Sequence, residues 1–77
     1  MKDVELRAEL AANVWKIVKK VNDTVEEDDE VAILESMKME IPVISELEGR
    51  IKSISVKEGQ AIKEGDLIAV IEPKKKA

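Results

Sequence analysis

The chain is expected to be an all-β domain made of two similar halves. Three observations lead there. It holds nine Val and nine Ile against five Leu, and β-branched residues suit a pleated, half-buried surface better than a helix. A shift of 37 residues aligns Val4–Glu35 with Ile41–Glu72 without a gap. Residues that tolerate positive φ recur at matched places: Asn22 and Asp28 in one copy, Gly59 and Gly65 in the other.

The repeat is more than composition. Eight of its 32 positions are identical, among them Glu9/Glu46, Ile17/Ile54, Asp29/Asp66 and Ala32/Ala69. Seven more exchange one aliphatic residue for another, such as Val14/Ile51 and Val25/Ile62.

The two copies decide the elements together. From Leu6 to Val25, apolar residues recur every three or four positions, which alone suggests a helix. The second copy places Pro42 and Gly49 in the equivalent stretch, and a proline inside a helix costs about 3 kcal/mol. Ile41-Pro42-Val43 and Ile54-Ser55-Val56 alternate instead, as strands do. The first half is therefore read as strand as well. Asn22 and Asp28 then mark turns, and Val31–Leu34 forms a strand. Residues 36–40 connect this run to the strand at Ile41–Ile44 as a tight hairpin. Gly59 and Gly65 mark turns before the final strand at Leu67–Ile71. Gly49 matches Ala12, so a shared turn at that place is unsupported.

The expected organisation is one domain over residues 1–77, with repeats 4–35 and 41–72, a joint at 36–40 and a flexible tail at 73–77. Seventy-seven residues give a single small core. The chain has no His and no Cys, which removes disulfides, thiolate zinc sites and any Ser-His-Asp or Cys-His mechanism. Its net charge of −4 argues against a nucleic-acid partner. Its longest apolar run is five residues, Leu67–Ile71, against the roughly 18 that suggest a membrane span. Residues 1–13 carry Asp3, Glu5 and Glu9 and no apolar segment of signal-peptide type. No membrane association is expected, and a cytoplasmic location is.

The joint is the only linker between the two copies. It reads Ser36-Met37-Lys38-Met39-Glu40, with Lys38 at its centre. Eleven lysines are present, and only this one falls at a unique, projecting tip. Two methionines beside an exposed turn suggest an adaptable contact surface. Glu35 and Glu40 flank the hairpin and either meet basic groups on a partner or keep the tip soluble.

The stretch Glu35-Ser-Met-Lys-Met-Glu40, preceded by Val-Ala-Ile-Leu and followed by Ile41-Pro42, resembles the attachment site of biotin carboxyl carrier proteins. The resemblance spans residues 4–72 and includes Gly49-Arg-Ile, Lys57-Glu-Gly59 and Glu64-Gly-Asp66. Related lipoyl domains usually carry Asp before the lysine and Ala after it. Ala12, Asn22 and Asp28 depart from glycines that are usual in the family.

The resemblance implies a flattened barrel, or barrel-sandwich hybrid, of two four-stranded antiparallel sheets with quasi-two-fold symmetry. The gapless repeat leaves no room for the thumb loop that some members insert. Biotin would be joined to Lys38 by a biotin protein ligase, with Met37 and Met39 as flanking recognition residues and Glu35 and Glu40 as partner contacts. A biotin carboxylase would then load a carboxyl group for delivery to a carboxyltransferase. The chain would be a non-catalytic carrier, monomeric when isolated, with biotin as its only cofactor and no metal.

Elementary chemistry agrees with a passive role. A lysine amine, with an ordinary pKa of about 10.4, needs a base to become a nucleophile. The sequence offers no strong base, so activation would come from the ligase. A lipoyl-type acyl carrier and an unmodified interaction module are the competing readings. The acidic run Glu26–Glu30 lacks the central glycine and terminal glutamate of a calcium loop and is read as a solvated turn. Trp15 is read as a half-buried packing residue, and Lys74–Lys76 as a solvating tail.

Overall fold

A computed structural model of the chain describes residues 3–74. Eight strands follow one another: β1 (Val4–Arg7), β2 (Ala12–Ile17), β3 (Thr24–Val25), β4 (Glu30–Ser36), β5 (Met39–Ile44), β6 (Gly49–Ile54), β7 (Ala61–Ile62) and β8 (Leu67–Pro73). They form two four-stranded antiparallel sheets, ordered β1-β8-β6-β3 and β5-β4-β2-β7. The helical spacing from Leu6 to Val25 is thus resolved as strand and turn.

A shift of 37 residues carries β2 onto β6, β3 onto β7 and β4 onto β8 with the same bounds. Each sheet takes two strands from each half. The halves are interlocked, so neither can bury its apolar face without the other.

The core shows the same pairing. Val14 and Ile51, Val25 and Ile62, Val31 and Ile68, Ala32 and Ala69, and Leu34 and Ile71 are all buried repeat mates. Alternation along each strand sends every second side chain inward. One pair breaks the rule with a polar group: Ala8 is matched by Ser45, which is fully buried. Its Oγ donates to the Leu47 carbonyl at 2.6 Å, so the hydroxyl is satisfied.

Four turns share one design. Asn22 (φ 77°), Asp28 (φ 73°), Gly59 (φ 88°) and Gly65 (φ 89°) occupy the left-handed region. Each is the third residue of a four-residue turn that closes on itself. In the first, the Asp23 N–H donates to the Lys20 carbonyl at 3.0 Å, and the Lys20 N–H donates to Asp23 Oδ2 at 2.9 Å. Asp29, Gln60 and Asp66 repeat this toward Glu26, Lys57 and Lys63. Positive φ at the third position marks a type II turn. The acidic run Glu26–Glu30 is one of these turns: Asp28 bends it and Asp29 ties it.

Gly49 is not a turn residue; it opens β6. A Cβ there would collide with the Glu72 carbonyl oxygen and lie 3.0 Å from Ile71 Cγ2. The β6–β8 ladder extends to Gly49↔Pro73, whereas the β2–β4 ladder ends at Asn13↔Glu35, one residue short of Ala12. That shorter ladder explains why the first half needs no glycine.

Two expected boundaries change. Ser36 belongs to β4, and Met39 and Glu40 belong to β5, so the joint shrinks to Met37 and Lys38. Two residues expected in the tail are held by the fold: Pro73 ends β8, and the Lys74 N–H donates to the Glu48 carbonyl at 3.0 Å. Residues 75–77, including the rest of the lysine tail, lie outside the described residues.

Two predictions follow from the backbone. Asn22→Gly and Asp28→Gly should each leave stability unchanged or raise it by up to about 1 kcal/mol, because glycine removes the left-handed penalty. A loss of more than about 1 kcal/mol of unfolding free energy in urea would contradict the turn geometry. Gly49→Ala should cost about 1–3 kcal/mol by overpacking β6 against β8. An unchanged midpoint would show that the two strands can separate freely there.

Candidate functional site

Lys38 stands at the tip of the β4–β5 hairpin. Ser36 pairs with Met39 as the last rung, which leaves a loop of two residues. Both loop residues have positive φ, 52° at Met37 and 66° at Lys38. A two-residue hairpin loop with this signature is a type I′ turn, which normally selects Asn-Gly. Side chains with a Cβ pay about 1–2 kcal/mol each in the left-handed region. The cost is carried by the hairpin beneath, where six registered pairs run from Glu30↔Ile44 to Ser36↔Met39.

The tip is exposed throughout. Met37 is 90% exposed and Met39 is 65% exposed. They are large apolar side chains spent on water, not on the core. Lys38 is exposed too. Among the described residues, no carboxylate lies within salt-bridge distance of its amine. The amine can be approached from outside without breaking an ion pair.

Glu35 and Glu40 face each other across the hairpin as direct cross-strand partners. Both are exposed. Like charges directly opposite are destabilising. Asn13 lies beside Glu35 on the neighbouring strand β2. Next to the tip is a shallow groove of about 350 Å³, lined by Ala11, Ala12, Asn13, Glu35, Met37 and Ala61 among others. The five residues singled out from the sequence (Glu35, Met37, Lys38, Met39 and Glu40) therefore sit together at one end of the molecule.

Sequence reading missed two features here. The left-handed strain at Met37 and Lys38 was concealed because neither residue announces a primed turn. The opposition of Glu35 and Glu40 was within reach: both stand equally far from the turn centre. Trp15 is half-buried, as expected: it lies at a bulge between Val14 and Lys16 and is 43% exposed, with Lys16 Nζ 5.0 Å from its ring centroid.

Comparisons with known proteins bear on this geometry. A family model described as "Biotin-requiring enzyme" matches residues 7–71. A biotin/lipoyl attachment protein of Bacillus subtilis is 47% identical over 60 residues, which is 78% of this chain and 82% of that one. A biotinylated protein TB7.3 homolog of Mycobacterium leprae is 45% identical over 67 residues, or 87% and 94% of the two chains. A dihydrolipoyllysine-residue acetyltransferase component of Azotobacter vinelandii is 40% identical over 60 residues, covering 78% of this chain and 9% of that one. In structure, the urea carboxylase of Kluyveromyces lactis superposes with a TM-score of 0.87 at 38% identity, over 94% of this chain and 6% of that chain. With eight strands in two sheets and the Met-Lys-Met tip in place, the chain belongs to the biotin/lipoyl attachment family of biotin-requiring enzymes.

Proposed function

We propose that Lys38 is the acceptor of covalent biotin and that the domain is the carboxyl carrier of a biotin-dependent carboxylase. One observation carries the reading: a single unpaired lysine is raised on the unique tip of a rigid two-sheet body, between two exposed methionines. The relatives whose names speak of biotin support it.

The residues suit the group. Lys38 offers a primary amine open to solvent, which amide formation requires. Joined there, biotin would supply a ureido nitrogen that takes up and releases a carboxyl group. The chain's own part is presentation. Amide formation removes the lysine charge, so the tip can enter a desolvated site without burying an ion. Met37 and Met39 give a partner two flexible apolar handles. Glu35 and Glu40 add negative charge for a partner's basic groups.

A biotin protein ligase would activate the attachment, because the chain has no histidine or cysteine to do so. A biotin carboxylase and a carboxyltransferase would then share the tethered arm. Tethering sets an effective concentration in the millimolar range, so weak encounters suffice. A lipoyl-type carrier is the second reading, favoured by the acetyltransferase relative. Met37 and Met39 stand against it, since lipoyl domains usually have Asp and Ala there.

Two experiments decide. Incubation with ATP, biotin and biotin protein ligase should add one biotin to the intact mass, and Lys38→Arg should abolish the adduct. A lipoate adduct with lipoate ligase in its place would reverse the order of the readings; neither adduct would leave an unmodified module. The second concerns the turn. Met37→Asn/Lys38→Gly should raise stability by about 1–3 kcal/mol by installing a favoured primed turn, while ending all loading. A lower urea midpoint for this variant would disprove strain at the tip.

A further inference from the structure

The internal symmetry supplies a comparison within one molecule. A shift of 37 residues maps the outer face of the hairpin sheet onto the outer face of the other sheet. On the hairpin sheet, Glu35 and Glu40 stand opposite each other with Asn13 beside Glu35, and Trp15 follows two residues along β2. Their counterparts on the other sheet are Glu72, Asp3, Arg50 and Lys52.

There, both carboxylates are neutralised. Arg50 Nη2 donates to Glu72 Oε1 at 2.8 Å, and Lys52 Nζ donates to Asp3 Oδ2 at 2.6 Å. The Asp3 carboxylate, first by accepting this bond and then by its charge, holds the Lys52 ammonium above its ordinary pKa. The hairpin sheet keeps both carboxylates and has lost both cations. Asn13 stands for Arg50, and Trp15 stands for Lys52. Among the described residues, no lysine or arginine lies within salt-bridge distance of Glu35 or Glu40.

The fold does not require this arrangement, since the matching strand positions accept Arg and Lys. The apolar part continues inward from the acids: Lys16 is in register with Ile33, and Ile33 with exposed Pro42. Lys16 rests over the Trp15 ring, which shows that the ring can hold a cation.

We infer that the outer face of the hairpin sheet is a docking surface anchored by Trp15, complementary to a protein surface that carries two cations beside an apolar patch. The inference rests on the carrier reading, which supplies the owners of such a surface. Biotin protein ligase and biotin carboxylase both take ATP, and the second takes bicarbonate. Enzymes that gather anions line their mouths with positive charge. The partner's cations would complete the two ion pairs that the other sheet makes internally, one of them displacing Lys16 from Trp15. Three strands about 4.8 Å apart present only a small area, which suits an encounter that must break in every cycle. A membrane surface fits poorly, because a chain of net charge −4 with bare carboxylates on this face is repelled by anionic lipid.

The test transplants the other sheet's solution. Asn13→Arg/Trp15→Lys should keep the wild-type circular dichroism spectrum and an equal or higher urea midpoint. It should lower kcat/KM on the order of tenfold for loading by biotin protein ligase, for carboxylation of the loaded domain by biotin carboxylase, or for both. KM should carry the loss, and the salt dependence of the rate should flatten. Values within about twofold of wild type in both assays would overturn the inference alone. A wild-type chain that takes up no biotin would overturn the carrier reading and this inference with it. If the double variant loses its fold, Glu35→Gln/Glu40→Gln removes the charges without bulk and is held to the same thresholds.

Discussion

The structure depends on the interlocking of its two halves. Each sheet is completed by strands from the opposite repeat, and most of the buried core residues fall in repeat pairs such as Val14/Ile51 and Leu34/Ile71. Val14 cannot be covered unless the second half has delivered its strands, and the reverse holds for Ile51. A chain of 77 residues has little apolar surface to spare, so this mutual closure makes one cooperative unit out of two weak ones. A symmetric body has few unique places. The joint is one of them, and it is where the chain departs from economy.

That departure is physical. Two left-handed residues with side chains, two methionines in water and two opposed glutamates all sit within six residues of Lys38. Each is unfavourable alone. The hairpin tolerates them because Leu34 and Ile41 lock its base across the core. Local conflict amid otherwise consistent structure points to selection for something other than stability. The proposed carrier role, in which Lys38 is handed to other proteins, would be a sufficient reason.

Much of this was legible in the sequence. The 37-residue offset gave strand over helix, because Pro42 and Gly49 contradict what Leu6 to Val25 suggest alone. Asn22 and Asp28 revealed left-handed turns through their glycine mates. The place of Lys38 at a hairpin tip was legible too, since it is the only lysine in the joint between the repeats. Gly49 was not legible: its requirement comes from the close approach of β8, a distance that spacing does not encode.

The repeat also makes a stricter use of symmetry possible. At Asn13/Arg50 the two halves share strand bounds and register, so the backbone there accepts either side chain. Arg50 and Lys52 show what the strand positions accept and how they quench the carboxylates at Glu72 and Asp3. Asn13 and Trp15 are therefore not imposed by the strand positions they occupy. Their face is the one beneath Lys38, and a face left short of two cations gains most from a partner that brings them. The matched carboxylates on the other sheet are already paired, and Lys74 extends the pairing to Glu48 at 3.8 Å. Among the described residues, Glu72, Asp3 and Glu48 are each paired with a cation, whereas Glu35 and Glu40 beside Lys38 are not.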